Sequence, residues 1–235
     1  MTPRATALVT GASRGIGRAI ARRLAATHDV VAVARSAGEL ATLAGEFPEA
    51  RVEAVTADVG DPGVGAVLAD ALGGRPVDVL VHNAGVGVLR PLLDLAPEEW
   101  RRMVDVNVDA LFYVTRAVLP GMVARGRGHV VLIGSVAGRS AFVGGAAYAA
   151  TKAFGMSFAE SLSLEVRDRG VKVSVVSPGS VKTGFSGREQ PADGPDWQLV
   201  PEDVAEAVAY AVATPPGVLV HRVEVRALSP KRARG

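Results

Sequence analysis

Short, unbroken apolar runs alternate with longer alanine-rich stretches along this chain, and no other feature restricts the fold as strongly. The β-branched runs fall at residues 5–10, 30–34, 52–56, 77–81, 129–133, 171–176 and 223–225, with the first longer stretches at 16–26, 39–47 and 64–72 between them. A strand with one wet face alternates apolar and polar side chains. These runs do not alternate, so both faces of each must be covered. Strand and helix in repeated succession predict an α/β fold, a doubly wound parallel sheet with helices on both faces.

Local signals agree with that reading. Asp61-Pro62 reads as a helix N-cap followed by proline at the first helical position. Gly170 closes a helix whose last turn holds Arg167 and Arg169, and Pro201-Glu202-Asp203 opens another with acids in its first turn. Ala96 precedes Pro97-Glu98-Glu99 where a hydroxyl cap would be usual, a loss of about 1 kcal/mol at that helix start. No linker, repeat or low-complexity stretch divides the 235 residues. A chain of this size buries about 70% of its unfolded surface, so a single domain over residues 1–228 is expected. Residues 229–235, with Lys231, Arg232 and Arg234 after Pro230, read as a disordered basic tail.

Composition excludes several functions. The absence of cysteine rules out a disulfide scaffold, thiol redox chemistry and a thiolate metal site. His28, His82, His129 and His221 show no paired spacing, so no metal is expected. No apolar run approaches the ~18 residues that span a bilayer, and the first residues lead into a strand rather than a signal peptide. A cytoplasmic protein without a membrane partner is the expectation. With 26 basic against 24 acidic residues, a net charge of +2 and no like-charged block outside the tail, no nucleic-acid partner is expected either.

The chemistry begins at Gly11-Ala12-Ser13-Arg14-Gly15-Ile16-Gly17, between the first strand and the first helix. Glycines there let the chain turn tightly and let a pyrophosphate approach amides at a helix N-terminus. The spacing is G-x-x-x-G-x-G, not the G-x-G-x-x-G dinucleotide fingerprint, and such a turn can also be only a turn. Sites that bind NAD place an acid about 20 residues beyond the glycines, on the ribose 2′-hydroxyl. Here that place holds Ala34-Arg35-Ser36. An arginine suits a 2′-phosphate, and Arg14 adds a second charge nearby, so NADP(H) is favoured over NAD. The competing reading is that both arginines only coat the surface.

Tyr148 and Lys152 stand four residues apart, hence on one face of a helix. Bringing a tyrosine from pKa ~10 to near 7 costs about 4 kcal/mol. A unit charge 4 Å away at an effective dielectric of 20 supplies about that much. Alone, the pair can equally be a surface pair. Gly134-Ser135-Val136-Ala137-Gly138 is G-S-x-x-G, not the G-x-S-x-G of a hydrolase nucleophile.

Taken together, these segments resemble the one-domain short-chain dehydrogenase/reductase family over residues 4–228. The resemblance rests on Thr10 through Gly17, Asp58-Val59, Asn83-Ala84-Gly85, Asn107, Gly134-Ser135, Tyr148 with Lys152, and Pro178-Gly179 with Thr183. It implies a Rossmann-like fold and an NADP(H)-dependent oxidoreductase interconverting a carbonyl and a secondary alcohol. Tyr148 would give or take the substrate proton, and Lys152 would bind the nicotinamide ribose and lower the tyrosine pKa. Ser135 would orient the substrate oxygen, and Asn107 would hold a water relaying protons from Lys152. The cofactor would meet Gly11, Ser13, Arg14, Gly15, Ile16 and Gly17 at its phosphates, and Arg35 with Ser36 at the 2′ position. Asp58 and Val59 would meet its adenine, and Asn83, Ala84 and Gly85 would support the adenosine end. Pro178, Gly179, Val181 and Thr183 would frame the nicotinamide, beside Tyr148 and Lys152.

The departures from the family pattern are His82, where a second asparagine is common, and Ala96. Phe154, Phe158 and Leu162 form a stripe that reads as core, yet Met156, Leu164 and the alanines make that helix apolar around much of its girth. Relatives pair this helix between subunits, which implies a homodimer or homotetramer. Residues 183–199 are expected to form a lid, with Phe185 and Trp197 as apolar contacts, and residues 141–143 to line the pocket. The rival readings are a non-catalytic dinucleotide sensor or scaffold, an isomerase or dehydratase, and an NAD-preferring dehydrogenase.

Overall fold

The computed structural model describes residues 4–47, 52–185 and 197–229. Its elements run β1 (Ala5–Thr10), α1 (Gly15–Ala25), β2 (His28–Ala34), α2 (Ala37–Gly45), β3 (Val52–Thr56), α3 (Val64–Leu72) and β4 (Val79–His82). There follow α4 (Pro97–Val104), a π-helical turn (Asp105–Asp109), α5 (Ala110–Arg125), β5 (Gly128–Ile133) and α6 (Ala146–Val166). β6 (Val171–Pro178), α7 (Pro201–Val212) and β7 (Arg222–Val225) complete the order. The strands form one sheet, β3-β2-β1-β4-β5-β6-β7, with every pairing parallel.

The unbroken apolar runs are explained by what covers each face. Leu8, Val31, Val33, Leu80, Val130, Leu132 and Val173 pack on one side with Leu68 of α3, Val114 of α5 and Leu162 of α6. Their neighbours Ala7, Val9, Val30, Ala32, Val81, Val131 and Ile133 pack on the other, with Ile20 of α1, Leu40 of α2 and Val208 of α7. Adjacent strand residues therefore serve opposite cores, which is the doubly wound arrangement. The order reverses between β1 and β4, and the crevice beyond their carboxyl ends is where such sheets bind ligands.

Several local expectations shift. Asp61-Pro62 does not cap α3: it forms a turn in which the Asp61 carboxylate accepts from the Gly63 amide at 2.7 Å, and the helix starts at Val64. Proline's fixed φ suits that turn as well as a first helical turn. The hydroxyl missing at Ala96 is partly offset, since Glu99 Oε2 accepts the Ala96 N–H at 3.1 Å, half of a capping box. α6 ends in a 3₁₀ turn, Arg167–Arg169, closed by Gly170 at φ 76°. The basic tail at 230–235 and the middle of the expected lid, 186–196, lie outside the described residues. Among the described residues no helix is long and apolar enough to cross a membrane. Nor does any group of three or more His, Asp or Glu side chains among them gather where it could hold a metal ion.

Candidate active site

The carboxyl edge of the sheet gathers the residues singled out by their motifs. The β1–α1 turn carries Gly11, Ser13, Arg14, Gly15, Ile16 and Gly17; the end of β2 carries Arg35 and Ser36; the segment after β3 carries Asp58 and Val59. Asn83, Ala84 and Gly85 follow β4, Ser135 follows β5, Pro178 ends β6, and Gly179, Val181 and Thr183 follow it. Tyr148 and Lys152 come from the first turns of α6, and Asn107 from the π-helical turn.

The glycine turn is a cradle closed from behind. A Cβ on Gly17 would stand 2.1 Å from the Gly11 carbonyl oxygen and 2.3 Å from Asn83 Nδ2, so no larger residue fits. Gly11 itself lies at φ 66°, against Ala84. Thr10 fastens this turn to β4: its hydroxyl accepts the Asn83 and Ala84 amides at 3.1 Å each and donates to the Val81 carbonyl at 3.2 Å. Asn83 Nδ2 donates back to the Thr10 and Gly11 carbonyls at 3.0 and 3.2 Å. The amides of the turn are thus held at the N-terminus of α1, where its dipole favours an anion.

Two arginines flank the cradle. Arg14 and Arg35 are exposed, and neither side chain makes an ion pair or hydrogen bond among the described residues. Asp58 lies close enough to Arg35 to feel its charge. Burial works against the Asp58 carboxylate, but Arg102 at 2.9 Å and the Gly60 amide at 3.0 Å outweigh it and hold the pKa below the usual range.

The other end of the site is built around Tyr148, whose hydroxyl lies near enough to the Ser135 side chain for the serine to influence its pKa. Ser135 is itself positioned by the Ala137 amide, which donates to its oxygen at 3.1 Å. Lys152 Nζ lies 6.0 Å from the centre of the Tyr148 ring and donates to the Ile133 carbonyl at 3.1 Å. Burial lowers the ammonium pKa to about 8. The expected depression of the tyrosine pKa is not what the structure gives. Burial raises it, with the nearby Ser135 hydroxyl only partly opposing, because a phenolate here would lose its hydration. The hydroxyl is therefore protonated at neutral pH, the state a proton donor needs.

Asn107 is held from two directions. Its Oδ1 accepts the Val86 amide at 2.9 Å, and its Nδ2 donates to the Val86 carbonyl at 2.8 Å and to Thr151 Oγ1 at 2.9 Å. The side chain is engaged with protein on both sides and positions the segment after β4 that borders the site. Thr151, which the motif reading passed over, donates in turn to the Tyr148 carbonyl at 2.8 Å. A Cβ on Gly85 would fall 3.4 Å from Asn107 Oδ1 and 3.5 Å from Lys152 Nζ, so these groups share one wall.

Apolar side chains close the remaining side. Tyr148, Ala147 and Met103 are buried together, with Val86, Val88, Leu95, Ala137 and Phe185 against them. The Phe185 ring stands 5.4 Å from that of Tyr148. Trp197 is half-buried, with an indole N–H that finds no acceptor among the described residues. Phe142 and Val143 face outward at the rim instead of lining the interior. His82, in place of the asparagine, is buried and bonded to Thr115 Oγ1 at 2.8 Å, away from the reacting groups.

Comparison with known proteins agrees with this geometry. The family model described as short chain dehydrogenase matches residues 5–193. An NADP-dependent 3-hydroxy acid dehydrogenase, YdfG, of Salmonella typhi is 38% identical over 235 residues, with 93% of each chain covered. Its counterpart in Escherichia coli K12 is 36% identical over 234 residues, again with 93% of each covered. Among solved structures, the closed form of a serine dehydrogenase complexed with NADP+ superposes with a TM-score of 0.86 at 35% identity, covering 94% of each chain. An alcohol dehydrogenase from the archaeon Thermococcus sibiricus, complexed with 5-hydroxy-NADP, superposes with a TM-score of 0.89 at 30% identity, covering 98% of this chain and 99% of the other. The chain belongs to the short-chain dehydrogenase family.

Proposed function

We propose that this protein is an NADP(H)-dependent oxidoreductase that interconverts a carbonyl compound and a secondary alcohol. The observation that carries the reading is the Ser135–Tyr148 hydroxyl pair, backed by the Lys152 ammonium, on the same sheet edge as the glycine cradle. NADP(H), when bound, supplies or accepts the hydride. In reduction, the protonated Tyr148 hydroxyl gives its proton to the substrate oxygen, which the Ser135 hydroxyl orients. Lys152 stabilises the phenolate left behind, and a positioned acid of this kind contributes roughly 10²–10⁴-fold.

The cofactor residues fit a phosphorylated dinucleotide. Gly11, Gly15 and Gly17 leave the cradle open to phosphate, while Arg14 and Arg35 offer unpaired guanidiniums for the 2′-phosphate, with Ser36 alongside. Asp58, held by Arg102 and the Gly60 amide, and Val59 would meet the adenine. The NADP named for the relatives supports the same choice.

The test combines thermal-shift titration with NADPH and NADH and NADPH oxidation over a carbonyl panel. Stabilisation by NADPH at lower concentration than NADH is expected, together with a Tyr148→Phe variant that binds NADPH normally but loses at least 10²-fold in turnover. Full activity in that variant would overturn the assignment of the proton donor.

The outer faces of α5 and α6 support a homodimer or homotetramer. Phe112, Phe154 and Leu164 are exposed there, and Phe154, Phe158 and Leu162 line an open apolar groove. A stable monomer in light scattering at micromolar concentration would remove that reading.

A further inference from the structure

The loops that follow β4 and β5 carry an apolar apron at the mouth of the site. Leu89, Leu92 and Leu93 on the first, and Phe142 and Val143 on the second, are all exposed, Leu93 and Val143 to 98%. The two loops touch, since a Cβ on Gly144 would lie 3.4 Å from the Arg90 backbone. The Phe142 ring is held over Gly145, immediately before α6, where a Cβ would come within 2.5 Å of it.

The apron is continuous with the reacting hydroxyl. Leu95 and Val88, on the same loop as Leu93, pack with Met103 against Tyr148, and Phe185 packs there as well. Charge is sparse along this path: the one acid of the two loops is the exposed Asp94, which would repel a carboxylate. The two loops, residues 86–95 and 134–145, contain only two cations, Arg90 and Arg139. Arg90 is paired with Glu99 at 3.1 Å, and Arg139 lines a separate cavity with Glu160 and Arg222. Neither is placed to receive a substrate carboxylate bidentately.

We infer that the apron receives an extended, uncharged apolar substituent of the substrate, so that the enzyme favours long-chain or ring-bearing carbonyl compounds over short free hydroxy acids. This specificity rests on the reading of Tyr148 as the group facing the substrate oxygen. Contiguous exposed apolar surface beside a reacting group marks a binding surface. Each methylene moved from water onto such a surface gains up to about fourfold in affinity.

The experiment measures kcat/KM with NADPH for uncharged methyl ketones and 3-oxo esters of increasing chain length. The reverse reaction with NADP+ compares short 3-hydroxy acids with the matching uncharged alcohols. Leu93→Asp and Val143→Asp are made in parallel, at side chains too exposed for the fold to depend on them. The expected result is a rise of about twofold to fourfold per methylene, carried by KM, and a loss in both variants that grows with chain length. Turnover that is flat or falling with chain length overturns the inference and leaves the oxidoreductase reading standing. So does better turnover of the free hydroxy acids, or a loss in the variants that is uniform across the series. Absence of turnover for every substrate in both directions, with NADPH still bound, overturns both.

Discussion

At the residue scale the proposed proton donor, Tyr148, is only as well placed as the groups behind it. Thr151 bridges Asn107 Nδ2 and the Tyr148 carbonyl, and so ties the π-helical turn to the first turn of α6. Replacing it by valine keeps the volume but leaves a buried amide donor one partner short, at a cost of about 1–3 kcal/mol. Thr151→Val should therefore lower kcat about tenfold with little change in the KM for NADPH, while Thr151→Ser stays within about twofold of the parent. Steady-state kinetics of the pair, with thermal denaturation alongside, checks this: equal loss in both variants would mean that the methyl, not the hydroxyl, matters. The four-residue spacing of Tyr148 and Lys152 was legible because it is local. The Thr151 hydroxyl could be read as bonding the carbonyl three residues back, a habit of threonine in helices, but its second partner lies 44 residues away and no pattern announces it. Tyr148 shows the opposite limit. Its charge partner was visible in the sequence, whereas the burial that raises its pKa depends on Met103 and Phe185, which the fold brings in from other elements.

At the element scale, what could be read was whatever repeats or punctuates. β1 falls at the residues expected, the body of α3 does so without its Asp61-Pro62 cap, and Gly170 and Pro201 mark the boundaries they announce. The segment between β4 and β5 was the least legible. There α4, a π-helical turn and α5 run on as one interrupted rod, and α5 carries Pro120 in its interior. A π-helical turn inserts a residue without leaving the helical pattern, so periodicity cannot find it, yet such turns concentrate at functional positions. Here it sets Asn107 against Val86. The glycines announce a turn at the β1–α1 junction, but the reason Gly17 must be glycine lies in its approach to Gly11 and Asn83. Gly17→Ala has to displace backbone, not a side-chain tip. A loss of about 1–3 kcal/mol in stability, typical of overpacking, is expected, with at least tenfold weaker NADPH binding because the cradle amides move with the turn. Isothermal titration with NADPH is the direct check, and unchanged affinity would show that the turn does not hold the phosphates.

At the scale of the whole molecule, the two faces of the sheet are sealed with a few polar groups inside, and those groups make stability depend on pH. His82 in β4 is bonded to Thr115 of α5 at 2.8 Å, and His129 in β5 to Ser174 of β6 at 2.7 Å, both buried. Burial lowers each pKa from 6.5 to about 4, and for His129 the nearby Lys172 charge adds to the effect. His28 is shifted in the same direction, chiefly by burial. In the unfolded chain these imidazoles take up a proton near pH 6.5; in the folded chain they resist it until about pH 4. Folding stability is then full above pH 6.5 and falls as the pH drops toward 4, because the unfolded state binds more protons in that window. Each of the two strongly shifted histidines should contribute about 2 kcal/mol of loss between pH 7 and pH 5 at 1.36 kcal/mol per pKa unit. Urea denaturation at pH 5, 6 and 7 should show unfolding free energies that decline by about 4 kcal/mol in all. His82→Asn, which still offers Thr115 an amide partner, should remove about half of that decline. A pH-independent midpoint across this interval would mean that the imidazoles are reached by water in the folded state, and that the seal between β4 and α5 is looser than the packing implies.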